Sequence, residues 1–349
     1  MAMRGGWLYG VMVLLTACVE SNQPLPQPPV AAPVEPHTIT LLFGGDVMAH
    51  TPQLLAAKTA DGYDFSHTFA ALKPLFEEAD LTVLNLETTL AFRPPYQGYP
   101  LFRSPAELAH ALRGAGVDVV ALANNHALDM GASGVRSTLS ALDSVGLRHL
   151  GLYRSKHDFR PLIVERDSIR LVLLNYTYGT NGMPLPEGMA VGRLDTTRMK
   201  ADLRAASHLR PDAVVALVHW GIEYERTPNR EQRRMARWLH NHGVDIIIGS
   251  HPHVVQPYEA DSSRVCFYSL GNLVSNQRRR YTDGGLLARI RITKHPDGHL
   301  SYESEALPVW VNKADRYQIL LLSVADTLSL GTAYRTFRQD TEQHLQKGV

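Results

Sequence analysis

The sequence predicts an α/β fold, and two features of the chain support this prediction. From Thr38 onward, apolar runs of the kind that form strands alternate with amphipathic stretches of helical period. Several of these runs are continuous in valine, isoleucine and leucine, which is typical of strands that are covered on both faces. After residue 265 the pattern becomes mostly β. We therefore expect an α/β arrangement with an added β portion and no linker that would divide it.

The order of the elements follows from the same periodicities and from the residues at their boundaries. Pro105 suits the first turn of a helix, and Asp167 with Ser168 suits the turn of a strand pair. Strands are predicted over residues 39–43, 81–86, 117–122, 147–150, 162–164, 170–174, 213–218, 244–248, 265–270, 285–292 and 302–311. Helices are predicted over residues 67–77, 105–115, 134–145, 196–208 and 231–242, and a helical tail over residues 317–346.

The composition is that of an ordinary folded protein. Of the 349 residues, 44% are hydrophobic and 20% are charged, and the formal net charge is +1. Such a balance provides no global field that would hold a polyanion, so no nucleic-acid partner is expected. Histidine is the unusual component, because several of the 16 histidines fall at the ends of apolar runs.

Residues 1–18 read as a processing segment that does not belong to the fold. Arg4 provides a positive start, an apolar stretch spans residues 7–16, and Leu15-Thr16-Ala17-Cys18 resembles the lipobox of bacterial lipoproteins. In such proteins the chain is cut before the cysteine and lipid is attached to its sulfur. The apolar stretch is short for a transmembrane helix. A plain secretory signal or an uncleaved anchor is the alternative interpretation.

A lipidated Cys18 implies an extracytoplasmic protein that is anchored to a bacterial membrane. Val19 would suit sorting to the outer membrane in a cell with two membranes. Residues 19–37 are rich in proline and predict an extended, semi-rigid spacer. A folded domain is expected over residues 38–312 and a helical extension over residues 313–349. Cys266 lies in an apolar run, where a small core residue is expected.

The candidate chemistry lies at the ends of five predicted strands. In open α/β sheets, residues beyond the carboxyl ends of strands converge on one crevice although they are far apart in sequence. A single aspartate or asparagine after a strand is usually a turn or cap residue, but five such endings are hard to explain as turns. The candidate metal ligands at these endings are Asp46, Glu87, Asn125, His219, His251 and His253.

These donor types favour a transition metal over magnesium or calcium. Imidazole together with carboxylate suits zinc, iron, manganese or nickel, whereas magnesium and calcium prefer sites made only of oxygen. His251 and His253 flank Pro252 and face the same side of an extended segment. Glu87 could offer one carboxylate oxygen to each of two cations, which together would neutralise an oxyanionic transition state.

His126 is the candidate proton donor, because it directly follows the candidate ligand Asn125 and its side chain projects differently. Asp129 has two interpretations. Its carboxylate could orient the His126 imidazole, as carboxylates orient other catalytic histidines, or it could cap the helix that follows Gly131. The sequence favours neither.

Read together, these stretches resemble the CapA family of poly-γ-glutamate capsule-synthesis proteins. The resemblance covers residues 38–312. It rests on the stretches GDVM from Gly45, NLE from Asn85, YPLFRSP from Tyr99, ANNHALDMG from Ala123, HWGIEY from His219, GSHPHVVQ from Gly249 and YSLGN from Tyr268. That family is similar in fold to the calcineurin-like metallophosphatases, which implies a sandwich of two β-sheets flanked by helices.

The resemblance also implies two divalent cations, manganese, iron or zinc, and distributes the ligands between them. Asp46 and His253 would bind the first cation, and Glu87 would bridge both. The second would be bound by Asn125, His219 and His251, with His126 as the catalytic histidine. Metallophosphatases usually carry a histidine where this chain has Met48. Full occupancy of the first site therefore needs another ligand, for which Glu223 and Asn85 are the candidates.

Three residues are candidate substrate contacts: Arg103, Asn272 and Glu223. Arginine suits planar carboxylate or phosphate groups, although Arg103 has the alternative of an exposed loop charge. Trp220 and Tyr224 could wall the pocket, but core packing is the favoured interpretation of both. The basic run at residues 278–280 is expected to be a solvated loop, with contact to an anionic polymer or lipid surface as the alternative.

Two hypotheses of function follow. The retained ligand set and His126 favour a metal-dependent, phosphoesterase-like hydrolase that acts on a phosphoester or another bond in a cell-envelope molecule. Met48 and the expected lipid tether favour a non-catalytic accessory subunit that binds the polymer and assists a membrane synthase. Family resemblance by itself does not establish the reaction.

Overall fold

The computed structural model describes residues 1–3, 5–6, 9–12 and 35–346. The chain divides into two compact units, Met1–Val34 and Glu35–Val349. Cys18 and most of the predicted signal and spacer lie outside the described residues. Within the described ranges, none of the helices has the length and apolarity needed to cross a bilayer.

The strands of the unit that begins at Glu35 agree with most of the predicted strands. They are β1 (His37–Val47), β2 (Leu81–Leu86), β3 (Thr89–Ala91), β4 (Arg103–Pro105), β5 (Val119–Ala121), β6 (Arg148–Leu150), β7 (Leu152–Tyr153), β8 (Leu162–Arg166), β9 (Ile169–Thr177), β10 (Ala190–Val191), β11 (Ala213–His219), β12 (Ile246–Ser250), β13 (Tyr258–Ala260), β14 (Val265–Phe267), β15 (Asn272–Val274), β16 (Gly284–Lys294), β17 (Leu300–Asn312) and β18 (Gln318–Leu321).

Helices connect many of these strands. They are α1 (Thr51–Ala57), α2 (Ser66–Phe69), α3 (Lys73–Glu78), α4 (Glu107–Gly114), α5 (Gly131–Ser144), α6 (Thr196–His208), α7 (Arg230–Asn241), α8 (Leu322–Ala325) and α9 (Thr332–Gln346), with a short 3-10 helix at Lys156–Asp158.

Two large sheets form the framework. The first has the strand order β18-β17-β16-β1-β2-β5-β6, with β15 paired to the end of β1. The second has the order β13-β14-β12-β11-β9-β8. In the first sheet β1, β2, β5 and β6 run parallel, and in the second β9, β11, β12 and β14 run parallel. Each sheet therefore has a parallel centre whose strands end at one edge.

Alternation along the central strands shows that the sheets pack face to face. On β1, Leu41 contributes to the core between the sheets, whereas its neighbour Leu42 packs on the opposite face. On β9, Leu171 lies in the same inter-sheet core and Val172 faces outward. Because side chains alternate along a strand, these positions assign one face of each sheet to the shared core.

Helices cover the two outer faces of this sandwich. Leu112 of α4 and Leu139 of α5 pack on the outer face of the first sheet. Met199 of α6 and Leu239 of α7 pack on the outer face of the second. Both faces of the central strands are thus apolar and buried, which explains their continuous valine, isoleucine and leucine runs. The predicted fold, two sheets flanked by helices, is confirmed.

Two of the predicted helices differ in their bounds from the observed helices, and in both cases a proline explains the difference. The predicted helix over residues 67–77 is broken into α2 and α3, because Pro74 lacks the N–H that a continuous helix needs and instead occupies the first turn of α3. Pro105 does not start a helix. It ends β4, which pairs with β3, and α4 begins at Glu107.

The predicted helical extension over residues 313–349 is wrong in its first part. Residues Gln318–Leu321 form β18, which pairs with β17 at the edge of the first sheet. Ile319 packs in the large core on one face and Leu320 in a smaller cluster on the other, so burial follows the period of a strand. Within residues 313–346, only α8 and α9 are helical. At the other boundary, His37 belongs to β1 and not to the spacer.

Candidate metal centre

The candidate site lies where the carboxyl ends of both parallel sets of strands meet. Asp46 is at the end of β1, Glu87 directly follows β2, and Asn125 follows β5 in the first sheet. His219 ends β11 and His251 directly follows β12 in the second. The sandwich brings these two edges together, so donors from separate sheets face one another.

A bulge in β1 turns Asp46 toward this site. The pairing of β1 with β2 shifts register between Gly44 and Asp46, and bulges of this kind re-aim side chains beside functional sites. Gly45 permits the bulge, because a Cβ atom there would lie 1.9 Å from the Gly271 carbonyl oxygen. The Asp46 N–H donates to that same oxygen at 3.0 Å.

Two buried carboxylates share one amide donor. Asn85 Nδ2 donates to Asp46 Oδ1 at 2.8 Å and lies 3.3 Å from Glu87 Oε2. Asp46 and Glu87 are both fully buried. Burial raises the pKa of Glu87 well above its ordinary range, and the charge of Asp46 raises it further. Among the described residues, Glu87 Oε1 has no hydrogen-bond partner.

Histidines from the second sheet surround this unpartnered oxygen. The Nε2 atoms of His219 and His253 each lie 3.8 Å from Glu87 Oε1. His219 Nε2 is also 2.9 Å from Asn125 Oδ1, and its Nδ1 lies 2.9 Å from Ser250 Oγ. Burial, followed by the neighbouring His251, lowers the pKa of His219 well below its ordinary value. The imidazole is therefore neutral, the form that binds metals.

His251 and His253 are held by an unusual backbone. Their φ angles are 98° and 59°, a region that non-glycine residues rarely occupy and that is concentrated at functional sites. His253 Nδ1 lies 3.0 Å from Asp46 Oδ2 and 3.1 Å from Asn272 Oδ1. Burial lowers the pKa of His251 to about 3, and its Nδ1 has no partner among the described residues.

This donor set fits a divalent cation. Ligand atoms of Asp46, Glu87 and His219 lie within 4.8 Å of one another, as do those of Glu223, His251 and His253. A buried carboxylate oxygen and a buried imidazole nitrogen without partners are costly unless something satisfies them. A cation bound by the first of these groups would satisfy the Glu87 oxygen. All six predicted ligands lie in this site.

His126 and Asp129 form a pair beside the ligands. Asp129 Oδ2 lies 2.8 Å from His126 Nδ1 and accepts from the Phe102 N–H at 2.6 Å. Helix α5, whose N-cap residue is Met130, has no side-chain cap hydrogen bond. The geometry is thus that of an orienting carboxylate. Phe102 also packs edge-on against the His126 ring, with centroids 4.7 Å apart.

The three candidate substrate contacts occupy different environments. The guanidinium of the half-buried Arg103 donates to the Pro95 carbonyl. Asn272 is fully buried, and its amide nitrogen donates to Gln277 Oε1 at 2.9 Å and to the Thr282 carbonyl at 3.0 Å. Glu223 is exposed beside the histidines. Asn272 is therefore placed to hold His253, and Glu223 has the more open position.

The remaining aromatic and basic candidates also have definite positions. Trp220 is buried and donates to the Tyr268 carbonyl at 2.9 Å, as core packing predicts. Tyr224 is only partly buried and lies beside His253, with ring centroids 6.2 Å apart. The 278–280 run is exposed, as predicted for a solvated loop, and Arg279 lies over the Tyr224 ring at 4.2 Å.

Tyr178 is a site residue that the sequence interpretation missed. Its ring lies 4.5 Å from that of His251 and is stacked on His219 at 6.3 Å. The residue is 45% exposed, so it faces solvent over the ligands. Burial, then the nearby charges of Glu223 and Glu87, raises the pKa of its hydroxyl. It directly follows the end of β9, but the predicted strand ended at residue 174, so the rule that identified the other strand endings did not reach Tyr178.

Comparison with known proteins defines the class of this fold. The structure resembles that of the NAD nucleotidase NadN of Haemophilus influenzae with a TM-score of 0.52 and 11% sequence identity, covering 90% of this chain and 68% of NadN. A likeness at this identity concerns the fold alone. The two-sheet sandwich is that of the calcineurin-like metallophosphatases.

The sequence places the chain more narrowly. Residues 40–277 match the family described as bacterial capsule synthesis protein PGA_cap, and the chain belongs to that family. It is 28% identical to the PGA biosynthesis protein CapA of Bacillus subtilis over 285 residues, covering 78% of this chain and 71% of that protein. It is 27% identical to the capsule biosynthesis protein CapA of Bacillus anthracis over 256 residues, covering 70% of this chain and 61% of that protein.

Proposed function

We propose that this protein is a metal-dependent, phosphoesterase-like hydrolase that acts on a cell-envelope molecule during synthesis or export of capsule polyglutamate. The observation that carries the proposal is Glu87 Oε1. This buried oxygen has no hydrogen-bond partner in the described part of the chain and lies 3.8 Å from one nitrogen of each of two histidines. The polymer context comes from the family and from the names of the Bacillus relatives.

Six side chains would hold two divalent cations, manganese, iron or zinc: Asp46, Glu87, Asn125, His219, His251 and His253. Such cations supply Lewis acidity and activate water at neutral pH. Burial and the charge of Asp46 raise the pKa of Glu87, so a bound cation would favour the ionised form of this carboxyl. Asn85, with its N–H donors on both carboxylates, fixes their spacing.

His126 would transfer the proton that a leaving group requires. Its Nδ1 faces the Asp129 carboxylate, so Nε2 is the nitrogen that remains for a substrate atom. Asp129 is also held by the Phe102 N–H, which keeps the pair in one orientation. Positioned acid–base groups of this kind contribute on the order of 10²- to 10⁴-fold in rate.

The test is hydrolysis of model phosphomonoesters and phosphodiesters, and of γ-glutamyl amides, by full-length protein purified in detergent and loaded with manganese, iron or zinc. We expect turnover in at least one class, loss of activity on chelation, and a loss of about 10²-fold or more in His126→Ala. Cation content should be unchanged in that variant. Cation binding without turnover of any substrate, or equal turnover by His126→Ala, would contradict the proposal.

A second candidate, a non-catalytic accessory subunit that binds the polymer beside a membrane synthase, has one observation in its favour. Met48, at the position where metallophosphatases usually carry a histidine, is buried and offers no such ligand. If the metal-loaded protein binds polyglutamate but hydrolyses nothing, and deletion still reduces surface polymer, this candidate replaces the hydrolase.

The membrane location is also a proposal, and it rests on the Leu15-Thr16-Ala17-Cys18 stretch. Lipid on the Cys18 sulfur would anchor the protein outside the cytoplasm, in the outer membrane where the cell has two. Labelled fatty acid should be incorporated by the wild-type protein and not by Cys18→Ala, which should leave the membrane fraction. Equal labelling of both would rule the anchor out.

A further inference from the structure

Met48 stands where metallophosphatases usually carry a histidine ligand, so another side chain would have to take the place of that ligand. Met48 is 2% exposed, and its N–H donates to the Val274 carbonyl at 3.0 Å. The thioether is therefore a core side chain beside the site. Asp46 and His253 need another ligand if the cation between them is to be held tightly, because a transition metal takes four or more donors.

Asn85 is not free to be that ligand. Its Nδ2 donates to Asp46 Oδ1 at 2.8 Å and lies 3.3 Å from Glu87 Oε2. Its Oδ1 accepts from Asn124 Nδ2 at 3.3 Å. Both ends of the amide are thus engaged within the protein, and the end that faces the carboxylates carries N–H groups, which cannot coordinate a cation.

Glu223 has the properties that Asn85 lacks. One of its carboxylate oxygens lies within 4.8 Å of ligand atoms of both His251 and His253. The residue is exposed, so its carboxylate approaches the two histidines from the solvent side. His251 is 4% exposed, and its Nδ1 has no hydrogen-bond partner in the described part of the chain.

The backbone around Glu223 is fixed relative to the histidines. Its neighbour Tyr224 donates its N–H to the Pro252 carbonyl at 2.8 Å, and Pro252 lies between His251 and His253. Tyr224 has a φ of 68°, and Gly221 at the start of the turn has a φ of 94°. This turn is therefore tied directly to the segment that presents both imidazoles.

A second layer of contacts holds the same turn. The Tyr224 hydroxyl accepts from Gln277 Nε2 at 3.4 Å, and the Arg279 guanidinium lies 4.2 Å from the centre of its ring. These two contacts restrain the Tyr224 side chain next to Glu223. They are the kind of outer contacts that orient a metal ligand.

From this geometry we propose that Glu223 is a ligand of the cation that His253 would bind, in place of the histidine that Met48 replaces. The inference rests on the proposed function, because it requires that the centre binds cations. It assigns to the HWGIEY stretch a role in completing the site, so the carboxylate that faces solvent is part of the ligand set and not a substrate contact.

The experiment compares Glu223→Gln with Glu225→Gln in full-length protein. Both residues are exposed and lie on the same turn, so the two variants lose the same charge at nearly the same place. After chelation and dialysis, manganese is titrated into each protein, and the free ion is counted from its electron paramagnetic resonance signal. Stoichiometry and affinity are thus measured without any substrate.

We expect Glu223→Gln to lose one manganese per chain or to bind it about tenfold or more weakly, and Glu225→Gln to match the wild type. Unchanged binding by Glu223→Gln, or equal weakening in both variants, would overturn the inference while leaving the metal centre in place. Wild-type protein that binds no manganese, iron or zinc would overturn the proposed function itself, and this inference with it. Unfolding curves in chelator verify that both variants are folded.

Discussion

His253 Nδ1 lies 3.0 Å from Asp46 Oδ2, although 207 residues separate them in the chain. Asp46 is the last residue but one of a strand of the first sheet, and His253 follows a strand of the second. The contact therefore joins the two layers of the sandwich at the candidate metal centre. A cation bound between the layers would stabilise the folded state, because the unfolded chain cannot bring its ligands together.

Replacing Glu87 by an uncharged residue should distinguish the stability that a bound cation adds from the stability of the metal-free protein. For the wild type, a cation at one hundred times its dissociation constant adds about 2.7 kcal/mol to the free energy of unfolding. Glu87→Gln should lose most of this increment. Without metal the variant should be at least as stable as the wild type, because it no longer buries a carboxylate beside Asp46.

Thermal unfolding of both proteins, with and without manganese, measures this difference. Glu303→Gln is the control, since Glu303 is an exposed carboxylate that pairs with Arg291 on the outside of the first sheet. A manganese-induced rise in Tm in Glu87→Gln as large as in the wild type would show that Glu87 is not a ligand.

Asp129→Asn should impair turnover without removing cations. An asparagine amide can donate to His126 Nδ1 and so favour the wrong imidazole tautomer, which lowers kcat by about 10²- to 10⁴-fold in comparable pairs. KM and the number of bound cations should be nearly unchanged.

Asp143→Asn provides the matched control for this variant. Asp143 Oδ1 lies 3.0 Å from His149 Nε2, a similar carboxylate–histidine contact in a more exposed setting. Steady-state kinetics on the substrate identified for the wild type, together with metal analysis, would test the prediction. If Asp143→Asn and Asp129→Asn behaved alike, the His126 pair would have no special role.

Asn272→Ala tests whether Asn272 positions His253 or contacts substrate. The side chain is fully buried, and its loss would leave the Thr282 carbonyl without this donor. We expect the metal-free protein to lose about 1–3 kcal/mol of stability and cation affinity to fall about 10- to 100-fold. Chemical denaturation and manganese titration measure both, with the exposed Asn241→Ala as the control. A change in KM alone would indicate substrate contact instead.

Gly45→Ala should damage the fold at the bulge that aims Asp46. The added Cβ would lie 1.9 Å from the Gly271 carbonyl oxygen, and backbone on both sides would have to move. We expect a loss of about 3 kcal/mol or more, at the upper end for overpacking. Gly114→Ala, where a Cβ meets nothing within 4 Å, should be neutral or slightly stabilising. Equal unfolding midpoints in urea for the two variants would contradict the assigned role of Gly45.

The buried carboxyl of Asp245 should make the free energy of unfolding depend on pH, independently of the metal centre. Burial raises the pKa of this carboxyl above its ordinary value of 3.8, against the opposing hydrogen bond from the Val214 N–H. Because the folded state then binds the proton more tightly than the unfolded state, stability declines as the pH rises from 3.8 through the folded pKa. Above that pKa the loss is complete.

The comparison with Asp245→Asn isolates this contribution. Asparagine keeps an oxygen for the Val214 N–H but does not titrate, so the variant should gain on the wild type over the same pH range. The free energy of unfolding, measured by urea denaturation at several pH values, gives the difference. A difference that did not vary with pH would show that Asp245 is not destabilised by its burial.

The local pattern of the chain determined most strands and the identity of the donors. Apolar runs predicted β2, β9 and β11 because strands that are buried on both faces are rich in valine, isoleucine and leucine. The polar residues at the ends of the β2 and β11 runs, Glu87 and His219, were predicted as ligands, since parallel strands end at a common edge. Proline misled the prediction at Pro74 and Pro105, where the same ring can begin a helix or end an edge strand.

Only the tertiary structure decided what each donor can do. From the sequence alone, Asp129 could either orient His126 or cap a helix, and both Glu223 and Asn85 were candidates for the missing metal ligand. The sequence could not decide, because hydrogen-bond partners far along the chain determine which atoms are free. Asn85 is engaged by Asp46 from 39 residues away, whereas Glu223 stands beside two histidines. The sequence shows the residue types and their periodicity. Which donor atoms are already hydrogen-bonded, and which can still bind a cation, depends on how the two sheets pack.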